Sequence, residues 1–296
     1  MPSVDQLDAF VAAAEQGSFS AAARKLRKAQ SAISNAISNL EIESGVDLFD
    51  RSSRNPVLTS HGIALLKSAR AVLHSHQDYL ACASSLTAGA ETQLCVAIEQ
   101  SIATAQVLPL LIEFEKRYPH IEFELLDPGP NDVAELIRQG RADIGLMMEQ
   151  EHYPQGFKFR GIGHARVIPV CSADHPLARL GPVSHGDLRG YRQLVTRSLN
   201  LDDDSHIQQI LSPKIWYAES PYAVAELVGA GLGWSLLHES VVAQELAHGK
   251  LVKLELAYQQ VAALQGVDVV WTEKRALGTG GQWLLEQLFQ LNISQG

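Results

Sequence analysis

Apolar positions recur at helical spacing from the start of the chain. Leu7, Phe10, Val11 and Ala14 share one face of a helix that Gly17 ends. Ser18 then stands as an N-cap for a short helix from Phe19 to Leu26, whose Ala21, Ala22 and Ala23 allow close helix approach. A third helix is predicted from about Gln30 to Glu43. Its inner face is Ile33, Ile37 and Leu40, while Ser31, Ser34, Asn35 and Ser38 turn the other way at about 100° per residue. Two short helices joined by a turn, the second with an uncharged hydrogen-bonding face, are what insertion into a DNA major groove requires. The plain alternative is a surface helix with its serines and asparagines in water.

The stretch from Gly45 to Thr59 reads as a short hairpin, or wing, with Leu48 and Phe49 packing inward and Arg51 and Arg54 at the polar turn. Thr59 or Ser60 then caps a long helix from His61 to about Ser85. Its apolar stripe (Ile63, Leu66, Ala69, Val72, Leu73, Leu80) asks for a partner, such as a second copy of the chain. Small and polar residues around Leu86 to Gln93 mark a hinge. Beyond it, buried-strand runs alternate with helical segments. Leu94–Ile98, Ile121–Leu126 and Asp143–Met148 are strands, separated by helices Ala103–Arg117 and Asp132–Gln139. A second set of elements covers Val167–Cys171, Gln193–Thr196, Lys214–Tyr217, Ala223–Val228, Trp234–Leu237 and Leu251–Leu254. A strand at Val267–Trp271 and a helix at Gln282–Leu291 close the chain. Repeated strand–helix units imply parallel sheet with a ligand-binding cleft at the carboxyl ends of the strands.

Length and charge refine this picture. A chain of 296 residues, 46% hydrophobic and 19% charged, is globular and long enough for two or three compact units. No apolar run could span a bilayer and the start carries no leader pattern, which predicts a cytoplasmic protein with no membrane partner. Cys82, Cys95 and Cys171 are too few and too widely spaced for a disulfide framework or a metal knuckle, so no metal or cofactor is expected. The net charge of −9 argues against a nucleic-acid partner only until it is divided. Residues 1–88 hold 8 Lys and Arg against 8 Asp and Glu, so all the excess negative charge lies beyond them. A neutral unit can bind DNA if its cations share a face, and Arg24, Lys25, Arg27 and Lys28 cluster.

The order of these elements and their residues resembles a LysR-type transcriptional regulator. The matching pieces are LDAFVAAAEQGSFSAAARKL, QSAISNAISNLEIESGVDLFDRSSR and VLTSHGIALLKSARAVL, with weaker likeness in PLLIEFEKRYP, GRADIGL, DHPLA and GAGLGWSLL. The resemblance implies a multidomain α+β and α/β architecture. It comprises an N-terminal winged helix-turn-helix over 1–60, a linker and dimerisation helix over 61–88, a hinge at 89–92 and an effector-binding domain over 93–296. That last domain would be a two-lobed periplasmic-binding-protein-like α/β fold. Lobe one would take about 93–162 and 267–296, and lobe two about 163–266. Carried over by position, Gln30, Ser31, Ser34 and Asn35 are the helix residues that meet DNA, and Arg51 and Arg54 the wing arginines. Ser31 stands where the family often has Pro, Asn35 where a longer or charged side chain is common, and His238 where many members have Pro. The resemblance further implies dimers, usually assembled into homotetramers, on a pseudo-palindromic, A·T-rich operator in double-stranded DNA.

For the small-molecule effector, the strand-to-helix junctions are the physical candidates, because helix N-termini present unpaired N–H groups. Gln100, Ser101 and Thr104 lie at the first junction, Met147 ends the last strand before the second lobe, and Thr196, Arg197 and Ser198 follow a strand of that lobe. Arg197 suits a carboxylate. The Asp202, Asp203 and Asp204 run reads as a solvated helix start. Two competing classes are an α/β enzyme and a solute-binding protein. Neither a zinc-protease helix, a nucleophile elbow nor a phosphate loop is present, and the first 88 residues have no place in a solute carrier. The predicted function is an allosteric, ligand-responsive, sequence-specific transcription regulator with no catalytic residues.

Overall fold

The structure, a computed structural model, describes residues 1–52, 56–130, 132–150, 153, 155–197, 210–258 and 263–294. It divides into two compact units, Met1–Thr87 and Ala88–Gly296.

The first unit is three helices, a wing and a long helix. Ser3 and Gln6 cap α1 (Val4–Gln16) reciprocally, and Gly17 ends it at φ +65°. Ser18 accepts from the Ala21 N–H at 3.1 Å to start α2 (Phe19–Leu26). Recognition-helix candidate α3 (Gln30–Ser44) ends at Gly45, φ +70°. Phe10, Ile33, Ile37, Leu40, Leu48 and Phe49 are buried together, with Phe49 meeting Phe10 and Phe19 edge-on. The wing pairs β1 (Phe49–Asp50) with β2 (Val57–Leu58) antiparallel. Thr59, rather than Ser60, caps α4 (Ser60–Thr87): its hydroxyl accepts from the Gly62 N–H at 2.9 Å and donates to the Asp47 carbonyl at 2.6 Å. Gly62 is required there, because a Cβ would lie 2.2 Å from the Leu48 carbonyl oxygen.

The single stripe expected on α4 is two stripes. Leu66, Ala69 and Leu73 pack on the helical core. Leu65, Val72, Tyr79 and Leu86 are exposed, each seven residues after the last.

In the second unit, parallel strands β3 (Gln93–Ile98), β4 (Glu122–Leu126) and β5 (Ile144–Met148) alternate with α5 (Leu108–Arg117) and α6 (Asp132–Arg138). A 16-residue strand, β6 (Phe157–Ser172), then crosses to the second set of elements. That set comprises α7 (His185–Gly190), β7 (Gln193–Thr196), β8 (Ile215–Ala218), α8 (Pro221–Gly229), β9 (Trp234–His238), α9 (Glu239–Ala247) and β10 (Leu251–Lys253). The chain returns through β11 (Ala263–Thr272), antiparallel to both β5 and β6, and ends with α10 (Thr279–Leu288) and β12 (Ile293–Ser294). The main strand order is β4-β3-β5-β11-β6-β9-β7-β8. Residues 223–228 lie within α8, and the boundary expected near residue 162 falls inside β6.

That boundary carries a backbone irregularity. Gly163 has φ +146°, and the returning Ile293 packs so close that a Cβ on Gly163 would sit 2.0 Å from its carbonyl oxygen. Within the segment expected to be a hinge, Glu91 caps α10 by accepting from the Gly280 and Gly281 N–H groups at 3.0 and 2.6 Å.

Candidate nucleic-acid interface and effector cleft

On α3 the alternation of faces is complete. Ile33, Ile37 and Leu40 point into the core, while Gln30, Ser31 and Asn35 are exposed and Ser34 is half-buried. None of these four side chains bonds another described residue, so their donors and acceptors are available to a base edge. The N-cap residue, Ala29, contributes no side-chain cap.

Arg51 is differently placed. Its guanidinium donates to Glu41 Oε2 at 2.6 Å and to the Ser38 hydroxyl at 3.3 Å, and lies 5.6 Å from the centre of the Phe19 ring. The other oxygen of Glu41 accepts from the Leu48 and Phe49 N–H groups. Arg51 therefore joins α3, α2 and the wing. Arg54 lies outside the described residues.

In the second unit, Gln100 and Ser101 follow β3 directly. The Gln100 N–H donates to the Pro128 carbonyl at 3.1 Å and its Nε2 to the Asp127 carbonyl at 3.2 Å. That fixes the amide orientation and leaves Oε1 enclosed with no donor among the described residues. From the second set of elements, the Tyr222 hydroxyl donates to the Gln100 carbonyl at 3.3 Å and the Ser240 hydroxyl to the Ser101 carbonyl at 2.8 Å. Burial pushes the Asp127 carboxyl up, and burial together with Asp127 raises the Tyr222 phenol. At the end of β9, His238 Nε2 lies 3.0 Å from Gln265 Oε1, so that nitrogen carries the proton. Burial pushes this imidazole down to about 4.

The other expected cleft residues divide. Thr104 lies in a one-turn 3₁₀ segment, Thr104–Gln106, so the predicted helix starts only at Leu108. Thr196 ends β7 half-buried. Arg197 is exposed, its guanidinium 5.0 Å from the centre of the Tyr217 ring. Met147 is fully buried against Val133, Ala134 and Ile137, because its position on β5 points it under α6; it belongs to the core. Ser198 and the Asp202, Asp203 and Asp204 run lie outside the described residues. Tyr222 and Ser240 were legible as candidates by the same junction rule, since each sits in the first turn of a helix that follows a strand.

Among the described residues no cluster of His, Cys, Asp and Glu could hold a metal ion, and no helix is long and apolar enough to cross a membrane.

Residues 4–63 match the family described as bacterial regulatory helix-turn-helix protein, lysR family, and residues 87–291 match the LysR substrate binding domain. The HTH-type transcriptional regulator AceR of Acinetobacter baumannii is 29% identical over 96% of this chain and 95% of its own length. An uncharacterised HTH-type regulator of Escherichia coli, YbhD, is 31% identical over 79% of this chain and 75% of its own. Among solved structures, CrgA, a LysR-type transcriptional regulator from Neisseria meningitidis, is similar at 25% identity with a TM-score of 0.51. That match covers 96% of this chain and 98% of CrgA.

Proposed function

The chain belongs to the LysR family of transcriptional regulators, and from that premise we propose that it reads a pseudo-palindromic, A·T-rich operator through Gln30, Ser31, Ser34 and Asn35. It is a regulator with a DNA-binding helix-turn-helix and an effector-binding domain, not an enzyme. The observation that carries the proposed readout is the α3 surface, where four hydrogen-bonding side chains without partners among the described residues stand opposite a buried apolar face. Arg54 is assigned to the phosphates or minor groove beside the wing, by its place in the wing sequence. Arg51, bound by Glu41, serves this surface by holding the wing against α3.

Dimerisation through α4 is supported by Leu65, Val72, Tyr79 and Leu86, an exposed stripe at heptad spacing that suits a second copy of the helix. Pairs of dimers then form the tetramer, and DNA as the target places the protein in the cytoplasm. The effector site is assigned to Gln100, Ser101 and Thr104 together with Thr196 and Arg197, and Ser198 joins them by its place in the sequence alone. Arg197 favours an effector with a carboxylate, and the enclosed Gln100 Oε1 favours one that also carries an N–H or O–H donor. Effector binding shifts the balance between two arrangements of the DNA-reading pairs, by as much as its affinity differs between them.

Fluorescence anisotropy with operator-like and scrambled duplexes tests the readout. Ser34→Ala and Asn35→Ala are expected to narrow the gap between the two duplexes. A uniform loss on both would remove the base-reading role. A metabolite panel followed by thermal shift of the full chain tests the cleft, since a ligand that binds only the folded form raises its apparent stability.

A further inference from the structure

The run Arg24, Lys25, Leu26, Arg27, Lys28 places four cations at the end of α2, and the fold sorts them into two pairs at i, i+3 spacing. Lys25 and Lys28 are turned to α1, where Lys25 meets Glu15 at 2.9 Å and Lys28 meets Asp5 at 3.0 Å. Glu15 also receives Arg70 at 3.2 Å, and the Lys25 hydrogen bond, with Arg70 behind it, holds its carboxyl below the usual range. Arg24 and Arg27 are exposed and have no ion pair or side-chain hydrogen bond with any described residue. Elsewhere in the unit Arg51 is paired with Glu41 and the N-terminal amine with Glu43. Lys67, which has no ion pair with any described residue, lies on α4, outside the helix-turn-helix.

Arg27 has a second distinguishing feature. It is the one non-glycine residue with positive φ among the described residues, at +54°, a conformation that ordinarily selects Gly or Asn at a helix end. Its N–H and that of Lys28 close the last turn of α2 onto the Ala23 and Arg24 carbonyls. An arginine in that conformation gives the turn a guanidinium three residues ahead of Gln30, where α3 begins. Its N–H bonds the Arg24 carbonyl one turn earlier, and neither guanidinium has an anionic partner among the described residues.

We propose that Arg24 and Arg27 are DNA phosphate contacts of this unit, binding the backbone next to the groove that α3 enters, whereas Lys25 and Lys28 are structural and stay with α1. The inference rests on the DNA reading proposed above. A duplex phosphate supplies the missing countercharge, and Arg offers it a bidentate fork. The bland alternative, two cations that only complement the C-terminal dipole of α2, would affect stability and not salt dependence.

The test is the salt dependence of anisotropy for the full chain on a fluorescein-labelled, A·T-rich duplex of random sequence. Each lost phosphate contact lowers the slope of log K against log salt by about 0.9. Arg24→Gln and Arg27→Gln are expected to lower it by about that much per DNA-binding unit, and Arg24→Lys to restore it. Lys25→Gln and Lys28→Gln should leave the slope unchanged. Arg27→Asn, which tolerates positive φ, gives the same reading should Arg27→Gln fold poorly, and circular dichroism checks each variant. An unchanged slope in the arginine variants, or an equal fall in the lysine variants, overturns the assignment while leaving the DNA reading intact. Should the unaltered chain show no salt-dependent binding, both fall.

Discussion

Ser240, in the first turn of α9, donates its hydroxyl at 2.8 Å to the carbonyl oxygen of Ser101, 139 residues earlier in the chain. With the Tyr222 bond to Gln100, it places two consecutive backbone carbonyls after β3 under donors from the second set of elements. Each bond contributes about 1 kcal/mol net. Ser240→Ala combined with Tyr222→Phe should lower the urea midpoint of the effector-binding unit in the full chain by an amount equivalent to about 2 kcal/mol. A shift below about 0.5 kcal/mol would mean the two bonds do not hold the two sets of elements together.

His238 gives the stability of the second unit a pH dependence whose sign is fixed. Its imidazole titrates near 4 when folded, against about 6.5 in an unfolded chain, because burial opposes the charged form. Above about 6.5 both states are neutral and the stability is fully present. As pH falls from about 6.5 to about 4 the unfolded chain binds a proton that the folded one does not, and stability drops by up to about 3 kcal/mol. Replacement by Gln should flatten that part of a stability-against-pH curve. A curve of the same slope in His238→Gln would locate the titrating group elsewhere.

Two glycines with positive φ should differ sharply on substitution by Ala. Gly45 ends α3 at φ +70° with nothing within 4 Å of an added Cβ, so only backbone strain opposes the change, about 1 kcal/mol. At Gly163 the Cβ would overlap the Ile293 backbone in addition to the strain, so the β6–β12 pairing must break, at a cost of several kcal/mol. Chemical denaturation of the two variants checks the order, which reverses if β12 can leave at little cost.

The contrast between the two units explains what could be read from the chain alone. Ser18, Gly17 and the 3.6-residue spacing of Ile33, Ile37 and Leu40 are local signals, and each produced the element it predicted. Where a segment's surroundings decide, the pattern is silent. Ile144–Met148 is apolar throughout and buried on both faces, so nothing in it says that Met147 turns under α6. The first half of β6 is mostly exposed and contains Gly161 and Gly163, which hides a strand that runs on into a buried second half. The pairing of Arg51 with Glu41 and the sorting of Arg24 and Arg27 from Lys25 and Lys28 depend on helix packing, which residue type cannot report.

The α4 helix makes the most direct test of assembly, because its two stripes ask for different partners. Leu66, Ala69 and Leu73 are already covered by their own unit, and a charge there would damage folding as well as association. Leu65, Val72, Tyr79 and Leu86 are exposed, and their spacing of seven keeps them on one line along a helix that supercoils with a copy of itself. Val72→Glu with Tyr79→Glu places two like charges at each position across such a pair. Sedimentation velocity of the full chain should then show monomers at concentrations where the unaltered protein is dimeric, with circular dichroism unchanged. Ile63, exposed but about 200° around the helix from Leu65, is the internal control: Ile63→Glu should leave the dimer in place. Dissociation by Ile63→Glu alone would move the contact to the other side of α4 and remove the heptad stripe as its basis.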